Sequence, residues 1–269
     1  MTTTDVDLDA IKQRQQQTWA SGDYAAVAAR IVIIAEQLAD SARLRAGDSV
    51  LDVATGSGNA ALAAARRGCT VTGVDYVPAL LDRGRLRAEA EGLDVRFEIG
   101  DAEQLAFEDG SFDAVLSCLG VMFTPNQHQA ASELVRVCRG GGTIAVANWS
   151  PTSFVGAMFR TVGRHVPPPP GLDPPGLWGT EKRVQELLGG AAAELRFAQR
   201  RFTFRFTSPD DFVDFFRTHY GPVRMAFEAA EQPEQLHADL ISLAVEHNVS
   251  TGPDVAIASE YLEAVAIKR

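Results

Sequence analysis

The sequence predicts an α/β fold, a mainly parallel sheet with helices on both faces. Three observations carry that prediction. Between Ser49 and Asp75 an apolar strand ends in an acid, a small-residue turn follows, then the alanine-rich helical segment Asn59 to Arg67, then a second strand ending in an acid. Further strand-like runs follow at Val95 to Ile99, Ser111 to Ser117 and Thr143 to Ala147, separated by helix-forming stretches. Short apolar strands alternating with helices mark βαβ units, which lay strands side by side in parallel.

Each element has its own local reason. Residues up to about Ala46 read as two helices, around Leu8 to Ala20 and Tyr24 to Ala39, the second with an apolar face through Val27, Ile31, Ile34 and Leu38. Between Val53 and Asn59 the chain turns sharply, and Gly56 and Gly58 let the backbone bend and approach a ligand with no Cβ in the way. A helix from Gln127 to Cys138 and a Gly140-Gly141-Gly142 turn lead into the fifth strand. Residues 151 to 165 read as helix, and the proline-rich stretch Val166 to Gly176 as a stiff loop crossing the top of the domain, since proline fixes φ and removes donors. Thr180 caps the next helix. Gln199 to Thr207 alternates Phe202, Phe204 and Phe206 with polar residues, a half-buried strand. Ser208-Pro209-Asp210-Asp211 starts two or three helices that run to about Asn248, and Glu260 to Ile267 closes the chain as a strand. The expected organisation is one domain: N-terminal helices at 1–46, a ligand-binding core at 47–150, and a remainder at 151–269 that carries an inserted cap at about 151–190 and 208–250.

Composition narrows the functional classes. At 269 residues, 46% hydrophobic and 22% charged, the chain has the make-up of a globular protein with a full core. A net charge of -10 argues against a nucleic-acid substrate; the arginines at 196, 200, 201 and 205 leave room for a local basic patch, though a solvated strand edge is the favoured reading. Cys69, Cys118 and Cys138 have no metal-like spacing and are expected as free thiols. The N-terminus lacks a basic-then-apolar signal region, and no apolar stretch reaches membrane-spanning length. The expectation is a soluble, cytoplasmic monomer or homodimer that acts on a small molecule without a metal.

The glycine turn leaves the ligand open. Gly56-x-Gly58-x-x-Ala61 with Asp75 downstream fits a dinucleotide fingerprint, so an NAD(P)-dependent oxidoreductase is one reading. Asp52, however, sits four residues before Gly56, where a carboxylate would oppose a pyrophosphate and favour an ammonium-bearing ligand. Asp101 after the third strand suits the exocyclic amine of an adenine. No Tyr-x-x-x-Lys follows the fifth strand. A cationic, amine-bearing adenosine cofactor, S-adenosylmethionine, fits these features together; a non-catalytic module binding an adenosine ligand is a third reading.

The chain resembles the class I S-adenosylmethionine-dependent methyltransferases, in the group that includes the ubiquinone/menaquinone C-methyltransferases. LDVATGSGN resembles the first motif, with Ala54 in place of its first glycine; VTGVDYVPALLDRGR resembles the second-strand motif. GDAEQLAFEDGSFDAVLS resembles the third and fourth, and ELVRVCRGGGTIAVANW the helix and fifth strand, with Gly140 where proline is usual. The resemblance runs from about Val50 to Trp149 and implies a Rossmann-like seven-stranded sheet whose last strand is antiparallel, here interrupted by the helices at 209–250. It implies that Asp52, Ala54, Gly56 and Gly58 cradle the methionine end and that Asp75 takes the ribose hydroxyls. Tyr76 and Val77 would pack on the adenine, Asp101 and Ala102 bind its edge, and Ser117 and Cys118 lie near the methionine carboxylate or methyl. Trp19 and Tyr24, either side of Ser21-Gly22, are candidate ligand contacts beneath the leading helices.

Methyl transfer from a sulfonium is an in-line displacement and needs a base only for a protonated acceptor. Candidate acceptor-side groups are His128, His165, His219 and Tyr220; His219-Tyr220 ranks first because it precedes the Gly221-Pro222 break in the cap. Met122, Phe123 and Trp149 are candidates for an apolar acceptor pocket, whereas Phe212, Phe215 and Phe216 read as core. The expected acceptor is small and apolar, methylated at oxygen or carbon.

Overall fold

The structure is a computed structural model that describes residues 7–269. The first six residues, part of the N-terminal segment read above for a signal region, lie outside the described residues. Seven strands form one sheet in the order β3-β2-β1-β4-β5-β7-β6. Here β1 is Ser49–Val53, β2 Thr70–Asp75, β3 Val95–Ile99, β4 Phe112–Cys118, β5 Cys138–Trp149, β6 Ala192–Phe206 and β7 Val255–Lys268. The first five are parallel; β7 runs antiparallel to both β5 and β6. The central strands are buried on both faces, which explains why β1 and β4 read as continuous apolar runs.

Helix placement follows from crossover handedness. Between β1, β2 and β3 the chain passes through α4 (Asn59–Arg66) and α5 (Pro78–Glu91), and between β4 and β5 through α6 (Gln127–Val137). Right-handed crossovers in opposite directions put α4 and α5 on one face and α6 on the other. Before the sheet come α1 (Leu8–Ala20), α2 (Tyr24–Arg30) and α3 (Val32–Ser41); after β5 come α7 (Phe154–His165) and α8 (Glu181–Leu188). Between β6 and β7 three helices are inserted: α9 (Pro209–His219), α10 (Gly221–Ala229) and α11 (Pro233–Glu246). Ser208 accepts from the Asp211 N–H and Pro209 occupies the first turn of α9, as the sequence predicts.

Four details differ from the sequence reading. The second leading helix is broken at Ile31 (φ -110, ψ 16), within the β-branched run Ile31–Ile34 that disfavours a continuous helix, so α2 and α3 are separate helices. Gly140 to Gly142 is no free turn but runs inside β5, beside a register shift between Phe112 and Ala114. A side chain at Gly142 would meet the Asp113 carbonyl and the Cys138 sulfur. β6 begins at Ala192 rather than Gln199, because the charges along its outer edge hide its alternation. The proline stretch ends in a 3-10 turn, Pro175–Gly179, whose Trp178 is fully buried beside β5.

Candidate active site

A cleft opens at the carboxyl ends of β1, β2 and β4. This is where strand order reverses, β1 lying between β2 and β4, so the outgoing loops part and leave a crevice. The chain leaves β1 through Ala54 (φ 54), Gly56 (φ 56) and Gly58 (φ 86), and leaves β4 through Leu119 (φ 59). Ala54 and Leu119 hold a left-handed conformation despite their Cβ atoms, a strain of about 1 kcal/mol or more each, on opposite lips of one cleft. The floor between them has no room for a further side chain: a Cβ at Gly120 would strike the Ala54 backbone.

Two buried acids set the electrostatics. The Asp52 carboxylate accepts from the Thr55 hydroxyl (2.5 Å) and the Ala61 N–H (2.8 Å), both at one oxygen. Its other oxygen is sealed from solvent with no partner among the described residues. Burial pushes the Asp52 carboxyl up to about 7 against those two hydrogen bonds, and Asp75 adds to the push. Asp75 accepts from Gly56 N–H (2.8 Å) and Val77 N–H (2.9 Å); burial still raises it, opposed by backbone donors at Val77, Gly56 and Tyr76. Burial likewise raises the Cys118 thiol, with Asp52 and Glu263 adding to it, so it stays protonated. The cleft is short of positive charge. Lys12 is the single cationic residue lining it among the described residues, and it is already paired.

α1 crosses one mouth of this cleft. Lys12 Nζ lies 2.7 Å from Asp101 and 2.6 Å from Glu103. Gln16 donates to the Tyr76 carbonyl (2.5 Å) and Gln15 to the Phe123 carbonyl (3.0 Å). Glu103 also accepts the Asn126 N–H (2.7 Å), so one helix is tied to the loops after β2, β3 and β4. Farther along, Trp19 packs on Phe123 (4.9 Å between ring centres), Tyr24 (5.5 Å) and Tyr220 (5.6 Å).

Behind those rings lies a second, small cavity. It shares Trp19, Tyr24, Ile31, Leu119 and Phe123 with the cleft and is completed by Val27, Trp149, Val155, Met158, Phe204, Phe216 and Tyr220. The cleft therefore abuts a small apolar cavity, with Tyr24 and Trp19 at the boundary.

Of the residues singled out from sequence, Trp19, Tyr24, Ala54, Gly56, Asp75, Tyr76, Asp101, Ala102 and Cys118 line the cleft together. Four do not. Asp52 turns behind the glycine loop, onto Thr55 and Ala61. Gly58 leaves room for a protein side chain: a Cβ there would fall 2.9 Å from the Phe97 ring. Val77 is buried, and Ser117 ties the Val53 carbonyl to the Val121 N–H. On the acceptor side, Phe123, Trp149 and Tyr220 line the chamber, and Phe216, read as core, does too. Met122 is fully buried in the core. His219 packs on Phe215 outside both cavities, His165 pairs with Asp239 (2.8 Å) between α7 and α11, and His128 is exposed. The sequence reading missed Lys12, Thr55, Leu119 and Gly120. Lys12 sits on a helix whose docking no local pattern encodes; the Leu119-Gly120 pair, directly after an apolar strand, was the available signal for the last two.

Comparison with known proteins agrees with this fold. A family model described as a methyltransferase domain matches residues 51–146. An uncharacterized protein of Mycobacterium tuberculosis is 39% identical over 254 residues, 93% of each chain. The demethylmenaquinone methyltransferase of Deinococcus radiodurans is 39% identical over 138 residues, 50% of this chain and 55% of that protein. The crystal structure of a putative methyltransferase from Bacillus halodurans superposes with a TM-score of 0.61 at 23% identity, covering 87% of this chain and 98% of that one, a likeness of fold. Among the described residues no helix is long and apolar enough to cross a membrane.

Proposed function

The chain belongs to the class I S-adenosylmethionine-dependent methyltransferases, and on that premise we propose that it methylates a small apolar molecule at oxygen or carbon by in-line displacement. The residues present fit the cofactor. Two buried acids at the ends of β1 and β2, one with an unpartnered oxygen, favour a ligand bearing positive charge. The lone lining cation is spent on Asp101 and Glu103, which disfavours a dinucleotide diphosphate.

The proposed division of labour follows from the positions above. Asp75, oriented by the Gly56 and Val77 N–H groups, would receive the ribose hydroxyls. Asp101 and Ala102 would face the adenine edge and Tyr76 its ring. Asp52 would act from behind the loop, fixing the Ala54–Gly56 cradle through Thr55 and Ala61 and lending negative charge. Gly58, Val77 and Ser117 would hold the backbone that makes the contacts. When bound, the cofactor supplies a methyl group on a sulfonium, which needs alignment and exclusion of water more than acid–base help. The Trp19, Phe123 and Tyr24 rings would exclude water at that boundary. Tyr220, in the chamber wall, is the acceptor-side candidate favoured over His219, which reaches neither cavity.

The single observation that carries the acceptor class is the chamber wall itself, which among the described residues holds no charged side chain. The test is turnover with methyl-labelled S-adenosylmethionine on phenols, quinones and amines. Label on apolar oxygen or carbon acceptors supports the reading; label confined to charged amines, or no turnover at all, overturns it.

A further inference from the structure

The glycine turn after β1 carries a polar connection that the cofactor roles above do not use. α4 begins its hydrogen-bond ladder at the Gly58 carbonyl, which accepts from the Leu62 N–H (2.8 Å), while the Ala61 N–H goes to Asp52. The Ser57 carbonyl, one residue earlier, therefore receives no donor from the helix. Ser57 is buried, so that carbonyl needs a partner from elsewhere. Arg87 of α5 supplies it. Its Nη1 donates to the Ser57 carbonyl (2.7 Å) and to the Asn59 side-chain oxygen (2.8 Å), with the Ser57 hydroxyl at 3.3 Å. Asn59 in turn donates from its amide nitrogen to the Ala28 carbonyl of α2 (2.9 Å). Ser57 and Asn59 both line the cleft, and Arg87 stands behind them.

This guanidinium is poorly compensated where it lies. Burial lowers it, Glu91 opposing and Arg66 adding to the fall, and Glu91 is itself held by Arg66 at 2.6 Å. An arginine keeps its charge even so, and this one spends it on a backbone carbonyl and an amide oxygen. The close approach of α5 is built in: Gly84, three residues before Arg87 on the same helix, meets the Phe97 ring with no room for a Cβ. α2 has seven residues, too few to be stable alone, so its place depends on what it touches. It meets the turn twice, one helical turn apart. The Tyr24 ring lies where a Cβ at Gly56 would fall 3.4 Å from it, and Ala28 takes the Asn59 amide. Arg87 orients that amide, because an oxygen turned to the guanidinium leaves the nitrogen for Ala28.

Resting on the methyltransferase reading, we infer that Arg87 is a positioning residue: through Ser57 and Asn59 it holds the cofactor turn and α2 in their binding arrangement before the cofactor enters. It acts on the cofactor only through those two residues. Without Arg87 the cofactor would itself have to order the turn and α2, and that ordering would be subtracted from its affinity.

The test joins calorimetry with S-adenosylhomocysteine to amide hydrogen exchange, both on the full chain. Arg87→Met should weaken binding about 10-fold, as for loss of a hydrogen bond from a charged donor. Exchange across Tyr24–Arg30 should accelerate by a similar factor in the ligand-free variant and return to the wild-type level when S-adenosylhomocysteine saturates it. A merely structural contact would leave the exchange fast in both states. All three contacts come from a single nitrogen, so Arg87→Lys, whose ammonium is a point donor, should recover most of the affinity. Asn59→Ala should weaken binding as well, and adding it to Arg87→Met should have far less effect than the sum of the two. If Arg87→Met binds as wild type does, if its α2 exchange stays fast at saturation, or if lysine serves no better than methionine, the positioning role falls while the methyltransferase reading stands. If the wild-type chain does not bind S-adenosylhomocysteine, that reading falls and this role with it. Should Arg87→Met fold poorly, Asn59→Ala carries the same test, and unchanged α2 exchange in that variant overturns the proposal.

Discussion

Lys12→Met removes the one ammonium that ties α1 across the cleft and leaves two carboxylates behind. Glu103 would keep the Asn126 N–H and Asp101 the Glu103 N–H, so neither acid loses every partner. The loss is therefore smaller than the 3–5 kcal/mol, roughly, that accompanies breaking a fully buried pair. Side-chain exposure of 24% at Lys12 and 34% at Asp101 screens that pair, whereas Glu103 at 4% retains most of its desolvation. Weighing the two gives a loss of about 1–2 kcal/mol. Burial opposes the charge on Lys12, but Asp101 and Glu103 outweigh it and hold the ammonium above its ordinary range. The contribution of a raised lysine is complete below its unfolded value and fades only in strong alkali, so an assay at neutral pH sees all of it. Amide hydrogen exchange across Leu8–Ala20 should accelerate by a factor of about 5–30, while exchange in β1 and β4 changes less. Adding Glu103→Gln to Lys12→Met should recover part of the loss, because the uncompensated buried charge goes with it. If α1 exchanges no faster in Lys12→Met, or if the whole chain accelerates equally, the helix is not held by this contact and the reasoning fails.

Three further outcomes are expected. Asp75→Asn can no longer accept from both the Gly56 and Val77 N–H groups, so the melting temperature should fall by an amount reflecting about 1–3 kcal/mol, and calorimetry should show S-adenosylhomocysteine binding at least ~10-fold weaker; full affinity would remove Asp75 from the ribose role. Because the Asp52 carboxyl is pushed up to about 7, its contribution to ligand-free stability is complete below its unfolded range near pH 4 and is lost as pH rises through about 7. Thermal melts should show that decline in wild type but not in Asp52→Asn, and the affinity ratio of S-adenosylmethionine to S-adenosylhomocysteine should grow over the same interval; a flat profile contradicts the assignment. Ala54→Gly relieves a left-handed Cβ and should leave chemical-denaturation stability unchanged or raise it by up to about 1 kcal/mol, with cofactor binding intact; a clear destabilisation would mean that the strain is absent.

The fold was legible where local chemistry and long-range topology agree. Parallel strands announced themselves because β1 and β4 are buried on both faces, and the Ser208-Pro209 start of α9 is a local cap that needs no tertiary context. Asp75 and Asp101, which line the cleft, stand out in the sequence because one ends a strand and the other follows one; Asp52 lies one residue before the end of β1. Their roles were less legible, since Asp52 and Gly58 have the same sequence signature whether they face a ligand or hold the loop that does. Only packing reveals that Phe97 fills the space beside Gly58. The lid contact of Lys12 and the chamber of Trp19, Phe204, Phe216 and Tyr220 join residues from four distant stretches, and no spacing rule connects them. His219 illustrates the opposite hazard: one residue from Tyr220 in sequence, it faces another way because the helix turns between them.

The central claim is that the acid-lined crevice at the β1–β4 switch point holds a cationic adenosine cofactor for methyl transfer. Equilibrium titration calorimetry of the purified chain against S-adenosylmethionine and, separately, NAD(H) addresses it most directly. The account predicts saturable binding of one S-adenosylmethionine per chain, weakened by Asp75→Asn, and no measurable heat with NAD(H). Preferential binding of NAD(H), or S-adenosylmethionine affinity indifferent to Asp75, would contradict it.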